Sequence, residues 1–350
     1  MKFKHLFILP LTFIALSACN NAGSSSSDNK QYLDEITTVN FMNFPDIKME
    51  VNQRLCIDNY VIENKGSEIL VRDETIVKFE NNNLYGLKEG TTYLMVKVGE
   101  EYQKVEIEVK PEGTYHGAWN FDQMQKGQKI VAFGDSVTAD ATIGTNLTYV
   151  RNIAKEYGVE FKYNYAIGGT TGTYMYEGSN IWKEYRYATN VLDGPRRVKQ
   201  AVDNGEINDV DYAFIAYGHN DQYFQPPITV EGDDVYNVDN FDNAHSFKGS
   251  YRFMVNCLRK ANPNIKIILL NCTYSEYCLT SGRNYGSEYL YKDYCQAITE
   301  LAAELDCKTV DPWNYTKTIF DGNTKNVYYK DVVHLSIHGH QKLSDYLLKF

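Results

Sequence analysis

From residue 129 to the C-terminus, short apolar runs alternate with longer amphipathic ones, and that alternation restricts the fold more than any other feature of the 350-residue chain. The apolar runs cover 129–133, 160–167, 211–217, 265–271 and 307–310. They are rich in Val, Ile, Phe and Tyr and too short to be helices, so they read as strands buried on both faces. Leu147–Tyr157, Asn190–Asn204, Phe247–Ala261, Tyr289–Leu305 and a last segment Leu335–Leu348 carry helical spacing. Strands and helices in strict alternation predict an α/β domain with a parallel sheet covered on both sides. Five strands suit a flavodoxin-like doubly wound sheet, whose ligands bind at the carboxyl ends of the strands.

The chemistry-bearing residues fall at those ends. The first strand runs into Gly134-Asp135-Ser136, which leaves a hydroxyl at the strand terminus. Ser136 is a candidate nucleophile if a base lies within reach, and a helix cap otherwise. The second strand ends in Ile167-Gly168-Gly169-Thr170, where paired glycines can turn backbone N–H groups toward a ligand or simply make a tight turn. The third ends in Gly218-His219-Asn220-Asp221; the Asn220 amide can donate to a developing oxyanion or close an Asx-turn. Near the C-terminus, Asp331 and His334 stand three apart just ahead of the last helix. That spacing lets a carboxylate hold the imidazole Nδ1–H and leaves Nε2 to accept a serine proton. His338 and His340 are rivals for the base. A metal site of these three histidines lacks the i, i+4 helical spacing with a nearby acid, so no metal is expected.

These blocks, in this order, resemble the SGNH (GDSL-type) hydrolases over Lys129–Phe350. The resemblance implies Ser136 as nucleophile, His334 as general base and then acid, and Asp331 as its orienting carboxylate. It implies an oxyanion hole made by the Ser136 N–H, the Gly169 N–H and the Asn220 side chain. Gly169 is preferred to Gly168 because it stands five residues after Asn164. Asp135 would hold the nucleophile loop. His219 departs from the family's usual small or hydroxyl residue and would line the site. No cofactor is implied. The segments 173–187 and 222–246 carry many aromatics, among them Tyr174, Trp182, Tyr223, Phe224, Tyr236 and Phe241, and read as a substrate-binding rim. The expected reaction is ester hydrolysis through an acyl-enzyme, with a small acyl group on carbohydrate as substrate. A lipase or lysophospholipase is the rival enzyme, and a non-catalytic surface adhesion protein the rival from another class.

Ahead of this lies a different kind of sequence. Lys2 and Lys4 precede the apolar stretch Leu6–Leu16, too short to span a bilayer, so residues 1–18 read as a signal peptide. Leu16-Ser17-Ala18-Cys19 resembles the lipobox of bacterial lipoproteins, which implies cleavage before Cys19, its lipidation and an exported protein anchored to the cell membrane. Residues 19–34 form a Ser/Asn-rich tether. Residues 35–110 show short alternating strands and turns, the pattern of an all-β sandwich. The run from Asn83 to Thr92 is similar to a hairpin of bacterial Ig-like domains. Residues 111–128 connect it to the catalytic domain, and a chain beginning near Thr114 is expected to fold and stay active. A net charge of −10 argues against nucleic acid or an anionic bilayer as the main partner. Cys257, Cys272 and Cys307 read as buried thiols, and Cys272 with Cys278 is the pair to test for a disulfide.

Overall fold

The computed structural model describes residues 46–57, 68–98, 101–175, 193–231, 241, 244–276, 289–321 and 325–350. The targeting segment with Cys19, the tether, Cys278, and Tyr176–Tyr187 of the first aromatic segment lie outside the described residues. Among the described residues no helix is long and apolar enough to cross a membrane.

The N-terminal region is all β. Its strands are β1 (Asp46–Glu50), β2 (Arg54–Cys56), β3 (Glu68–Val71), β4 (Val77–Glu80), β5 (Asn83–Gly86), β6 (Gly90–Val98) and β7 (Glu101–Lys110). They form a four-stranded sheet, β1-β7-β6-β3, and a three-stranded one, β2-β5-β4. Alternation makes the core: Leu94 and Val96 of β6 and Val105, Ile107 and Val109 of β7 are buried together with Ile47, Val77 and Leu84. Asn81 and Asn82, with φ of 49° and 64°, make the two-residue turn between β4 and β5. The run from Asn83 to Thr92 is not a hairpin. β5 pairs with β2 and β4, whereas β6 pairs with β3 and β7, so the segment crosses from one sheet to the other.

The C-terminal region carries β8 (Lys129–Gly134), β9 (Glu160–Asn164), β10 (Tyr212–Ala216), β11 (Lys266–Leu270) and β12 (Lys308–Val310). All pairings are parallel, in the order β12-β11-β10-β8-β9. Counted from β8, this is the 2-1-3-4-5 order of a flavodoxin-like sheet. The helices are α1 (Asp140–Ile143), α2 (Tyr149–Tyr157), α3 (Gly194–Asp203), α4 (His219–Phe224), α5 (Phe247–Ala261), α6 (Tyr291–Glu304), α7 (Trp313–Asp321), α8 (Lys325–Tyr328) and α9 (Ile337–Leu347). Their ends follow from sequence. Asp193 caps α3 through the Arg196 N–H, and the Ser246 and Ser336 hydroxyls cap α5 and α9. Gly158 ends α2 in the left-handed conformation.

Successive strand residues feed opposite cores. Val131, Phe133, Ala213, Ile215, Ile267 and Leu269 pack with α3, α5 and α6. Ile130, Ala132, Tyr212, Phe214, Ile268 and Leu270 pack with α2 and α9. Each large apolar side chain taken fully out of water contributes about 1.5–3 kcal/mol, so both faces of the sheet must be covered for it to persist.

The two regions share a junction, and the connector belongs to both. The buried Glu50 carboxylate accepts from the Gly113 N–H at 2.8 Å and the Tyr115 N–H at 2.5 Å. Asp306 accepts from the His116 N–H at 2.6 Å and the Gly117 N–H at 3.1 Å. Cys56 packs into the same core as Trp119 and Phe121. The expectation that a chain beginning near Thr114 folds unaided meets these contacts: such a chain loses Glu50 as acceptor and uncovers part of its own core.

Candidate active site

Every predicted site residue in the described chain gathers at the carboxyl edge of the parallel sheet. Strand β8 ends at Gly134, where no side chain fits. A Cβ would lie 2.7 Å from Thr138 Oγ1 and 2.8 Å from the Ala216 carbonyl oxygen. The chain turns at once, and Asp135, only 1% exposed, accepts the Val137 N–H at 3.0 Å. Burial pushes its carboxyl up to about 7, against the pull of that N–H. The side chain thereby braces the turn that presents Ser136, which is half-buried, at the rim.

Ser136 Oγ lies 2.9 Å from His334 Nε2, and His334 Nδ1 lies 2.8 Å from Asp331 Oδ2. The serine and the histidine are 198 positions apart in sequence. The Asp331 Oδ1 atom accepts the Val333 N–H at 2.8 Å and the His334 N–H at 2.7 Å. One carboxylate therefore shapes the loop with one oxygen and orients the imidazole with the other. Partial burial pulls this carboxyl upward, but the His334 and Val333 N–H groups and the imidazole outweigh it and hold it below its ordinary value.

The rival histidines are elsewhere. His338 is exposed on the first turn of α9. His340 is 1% exposed, stacked on Tyr149 at 6.1 Å, and its Nδ1 accepts the Tyr149 N–H at 3.3 Å. Burial pushes its imidazole down to about 4, so it is a neutral packing group at ordinary pH. Among the described residues no group of three or more His, Cys, Asp or Glu is placed to hold a metal ion.

The other strand ends close around Ser136. A Cβ on Gly168 would sit 3.5 Å from the Ser136 Cβ, and Gly169 turns the chain with φ of 80°. Asn220, in the first turn of α4, donates one amide N–H to the Thr170 carbonyl oxygen at 2.9 Å, which ties it to that turn. Gly218, at φ 141°, lets α4 start so abruptly; a Cβ there would lie 2.5 Å from the Cys272 sulfur. His219 is half-buried, its Nε2 is 3.4 Å from Thr273 Oγ1, and its ring stacks on Tyr291 at 5.6 Å. Burial, with some repulsion from His334, pushes His219 down to about 3, so the ring is neutral.

Asp221 is a residue whose role sequence reasoning missed. Fully buried, it accepts the Gly172 N–H at 2.8 Å, the Thr173 N–H at 2.9 Å and the Thr173 hydroxyl at 2.6 Å. It staples the glycine turn to α4, fixing Asn220 relative to that turn. The only signal was a charged residue directly after Asn220, which equally fits a solvated first helical turn.

The described aromatics of the expected rim pack in part on one another. Tyr174 stacks on Phe241 at 4.6 Å, Phe241 packs against Phe253 at 4.8 Å, and Phe224 is 3% exposed. Tyr174, Tyr223 and Phe241 are half-buried, so part of each ring still faces solvent. Cys272 is buried, and its thiol donates to the Tyr217 carbonyl oxygen at 3.4 Å.

Comparison with known proteins places this arrangement. The sequence profile of the GDSL-like lipase/acylhydrolase family matches residues 132–342. No curated protein matches the chain. Among solved structures, a Lactobacillus plantarum protein is similar at 19% identity and TM-score 0.45, covering 65% of this chain and 97% of its own. An acetylxylan esterase from Geobacillus stearothermophilus is similar at 18% identity and TM-score 0.38, covering 65% of this chain and 95% of its own. With more than half of its length matched by the profile, the chain belongs to the GDSL-like lipase/acylhydrolase family and is a carboxylic ester hydrolase.

Proposed function

We propose that the protein removes small acyl groups, acetyl above all, from carbohydrate at the cell surface, with Ser136, His334 and Asp331 as its triad. The observation that carries the catalytic reading is the unbroken chain of hydrogen bonds from Ser136 Oγ through His334 to Asp331, at 2.9 and 2.8 Å. His334 Nε2 takes the hydroxyl proton as Ser136 Oγ attacks the ester carbonyl carbon. The carbonyl oxygen becomes an oxyanion, met by the Ser136 and Gly169 N–H groups and by the second amide N–H of Asn220. Collapse breaks the bond to the alcohol, which leaves with the proton from His334. Water then loses a proton to His334, attacks the acyl-serine, and releases the acid and the serine hydroxyl. Asp331 keeps the proton on Nδ1 and stabilises the imidazolium between steps.

The acyl-size reading rests on the wall beside Asn220. There the half-buried His219 presents a neutral imidazole, backed by the buried Thr273 and Tyr291. A wall of that kind fits a short polar acyl group better than an alkyl chain, which needs a continuous apolar lining. A carbohydrate as the alcohol partner follows from the lipoprotein-like N-terminus around Cys19, which implies export to where glycans are met. Acetate release from acetylated xylan, set beside p-nitrophenyl esters of increasing acyl length, tests the proposal. Activity that rises steadily beyond butyrate would replace it with the lipase or lysophospholipase reading.

A further inference from the structure

The junction between the β region and the α/β region holds a groove of about 550 Å³, larger than the cavities commonly left by imperfect packing. It is lined by Asn52 and Gln53 from the β region, and by Trp119, Gln123, Gln128 and Asn264 from the connector and the α/β region. Three of these are held in the same way. The Gln53 side-chain oxygen accepts the Glu50 N–H at 2.9 Å, and that of Gln123 accepts the Asn120 N–H at 3.0 Å. The Gln128 oxygen accepts the Gln125 N–H at 2.7 Å and the Tyr212 hydroxyl at 3.1 Å. With each oxygen taken by the protein, the amide NH₂ is what each glutamine offers to the groove. The indole of Trp119, 2% exposed, backs the same space, with its Nε1–H sealed from solvent.

The lining matches one ligand chemistry well. Rigid amide donors, with the side-chain oxygens of Asn52 and Asn264 as acceptors, suit hydroxyl groups, which both give and receive hydrogen bonds. Charges of both signs, Glu112 and Lys266, line the same space, and the Glu50 carboxylate is occupied by Gly113 and Tyr115, so no single sign of charge dominates. The place is equally telling. Gln128 directly precedes β8 and Lys266 opens β11, so the groove lies at the amino edge of the sheet, whereas Ser136 follows the carboxyl end of β8. A six-residue strand separates the two, roughly 20 Å at about 3.3 Å per residue. A ligand in the groove cannot be the group that reacts. We infer that the groove is a second binding site, for a neutral glycan chain, which holds a polymer on the enzyme away from the triad.

The inference stands apart from the catalytic reading, because a protein without the Ser136 hydroxyl would still bind. The test is native affinity electrophoresis of the full chain in gels containing deacetylated xylan, galactomannan or gelatin, read as apparent Kd. Wild type and Ser136→Ala should be retarded alike by at least one glycan. The double variant Gln123→Ala/Asn264→Ala, at two exposed side chains, should bind that glycan about tenfold more weakly, with kcat/KM on p-nitrophenyl acetate unchanged. No retardation by either glycan, undiminished binding by the double variant, loss of binding in Ser136→Ala, or stronger retardation by gelatin would each overturn it.

Discussion

The two edges of the parallel sheet are built for opposite purposes. At the amino edge the chain is clamped. Asp211 takes the Lys129 N–H at 2.7 Å, Asp209 takes the ammonium groups of Lys129 and Lys162, and the buried Lys308 donates to the Trp119 carbonyl oxygen at 2.6 Å. Hydrogen bonds from those two lysines hold the Asp209 carboxyl down to about 2. At the carboxyl edge β8 ends at Gly134 and β10 at Ala216, and the turns around them are braced from below by Asp135 and Asp221. At the first edge these aspartates and lysines are paired within the protein. At the second, Ser136, His334 and Asn220 are aimed but keep hydrogen-bonding capacity for a substrate. One sheet thus carries a clamped edge and a rim at which the buried carboxylates of Asp135 and Asp221 each stand next in sequence to a proposed site residue, Ser136 and Asn220.

Substitutions can break this contrast, and the largest effect belongs at the rim. Ser136→Ala should lower kcat on a small ester by about 10⁴-fold or more, while the melting temperature stays close to wild type. Labelling by a fluorophosphonate should vanish with it; labelling at another serine would move the nucleophile. Asp331→Asn keeps an oxygen for the Val333 and His334 N–H groups but no longer selects the imidazole tautomer, so kcat should fall by about 10²–10⁴-fold in a folded protein. If stability falls instead and the rate survives, Asp331 serves the loop alone. Asn220→Ala should cost about 10²–10³ in kcat with KM little changed, since its second N–H meets charge only in the transition state. A pure KM effect would make it a substrate-binding group.

Smaller effects lie away from the rim. His340 is neutral when folded, down to about 4, and its unfolded value is near ~6.5. Below that unfolded value the denatured chain takes up a proton that the folded chain refuses, so stability falls as pH drops from about 6.5 toward about 4. At pH 5 this amounts to roughly 2 kcal/mol. His340→Phe, which keeps a ring against Tyr149, should therefore lose less melting temperature than wild type between pH 7 and pH 5. Its kcat/KM at pH 7 should stay within about threefold; a collapse of the rate would mean the base is misassigned. The least effect is expected at the junction surface. Asp122→Ala removes the 3.4 Å pair with Arg54, whose partners are substantially exposed, and should change stability by less than about 1 kcal/mol in urea titration.

The α/β region was more legible in sequence than the β region. Each predicted strand of the parallel sheet is present within a few residues: β8, β10 and β11, buried on both faces, are written as apolar runs, whereas the edge strand β9 is only half-buried and carries Glu160 and Lys162. The long helices follow for a similar reason: α5 and α6 each bury a wide apolar stripe. The short helices α1, α4 and α8 were not legible; helices of four to six residues have too little periodicity to read and exist because their ends are held by neighbours. In the β region, alternation marked the strands but not their partners. The segment from Asn83 to Thr92 reads as a hairpin locally, yet its halves belong to different sheets. Pairing depends on residues far away along the chain, and no local pattern carries that information.

The same division runs through the site. Sequence alone determined which residue types stand at the strand ends, the i, i+3 relation of Asp331 to His334, and the order of the blocks, because these are properties of neighbouring residues. Tertiary structure decided which histidine meets Ser136. His334 and His340 lie six positions apart, and both are imidazoles beside the last helix. One sits in a loop shaped by Asp331 and reaches the hydroxyl at 2.9 Å; the other is turned by the helix into the core against Tyr149. Tertiary structure also made Asp221 a buried staple and stacked Tyr174 on Phe241 within the expected rim. The reason is common to all three. What a side chain can do depends on its solvent exposure and on partners that the fold brings from tens to hundreds of residues away, and neither is written in the residues beside it.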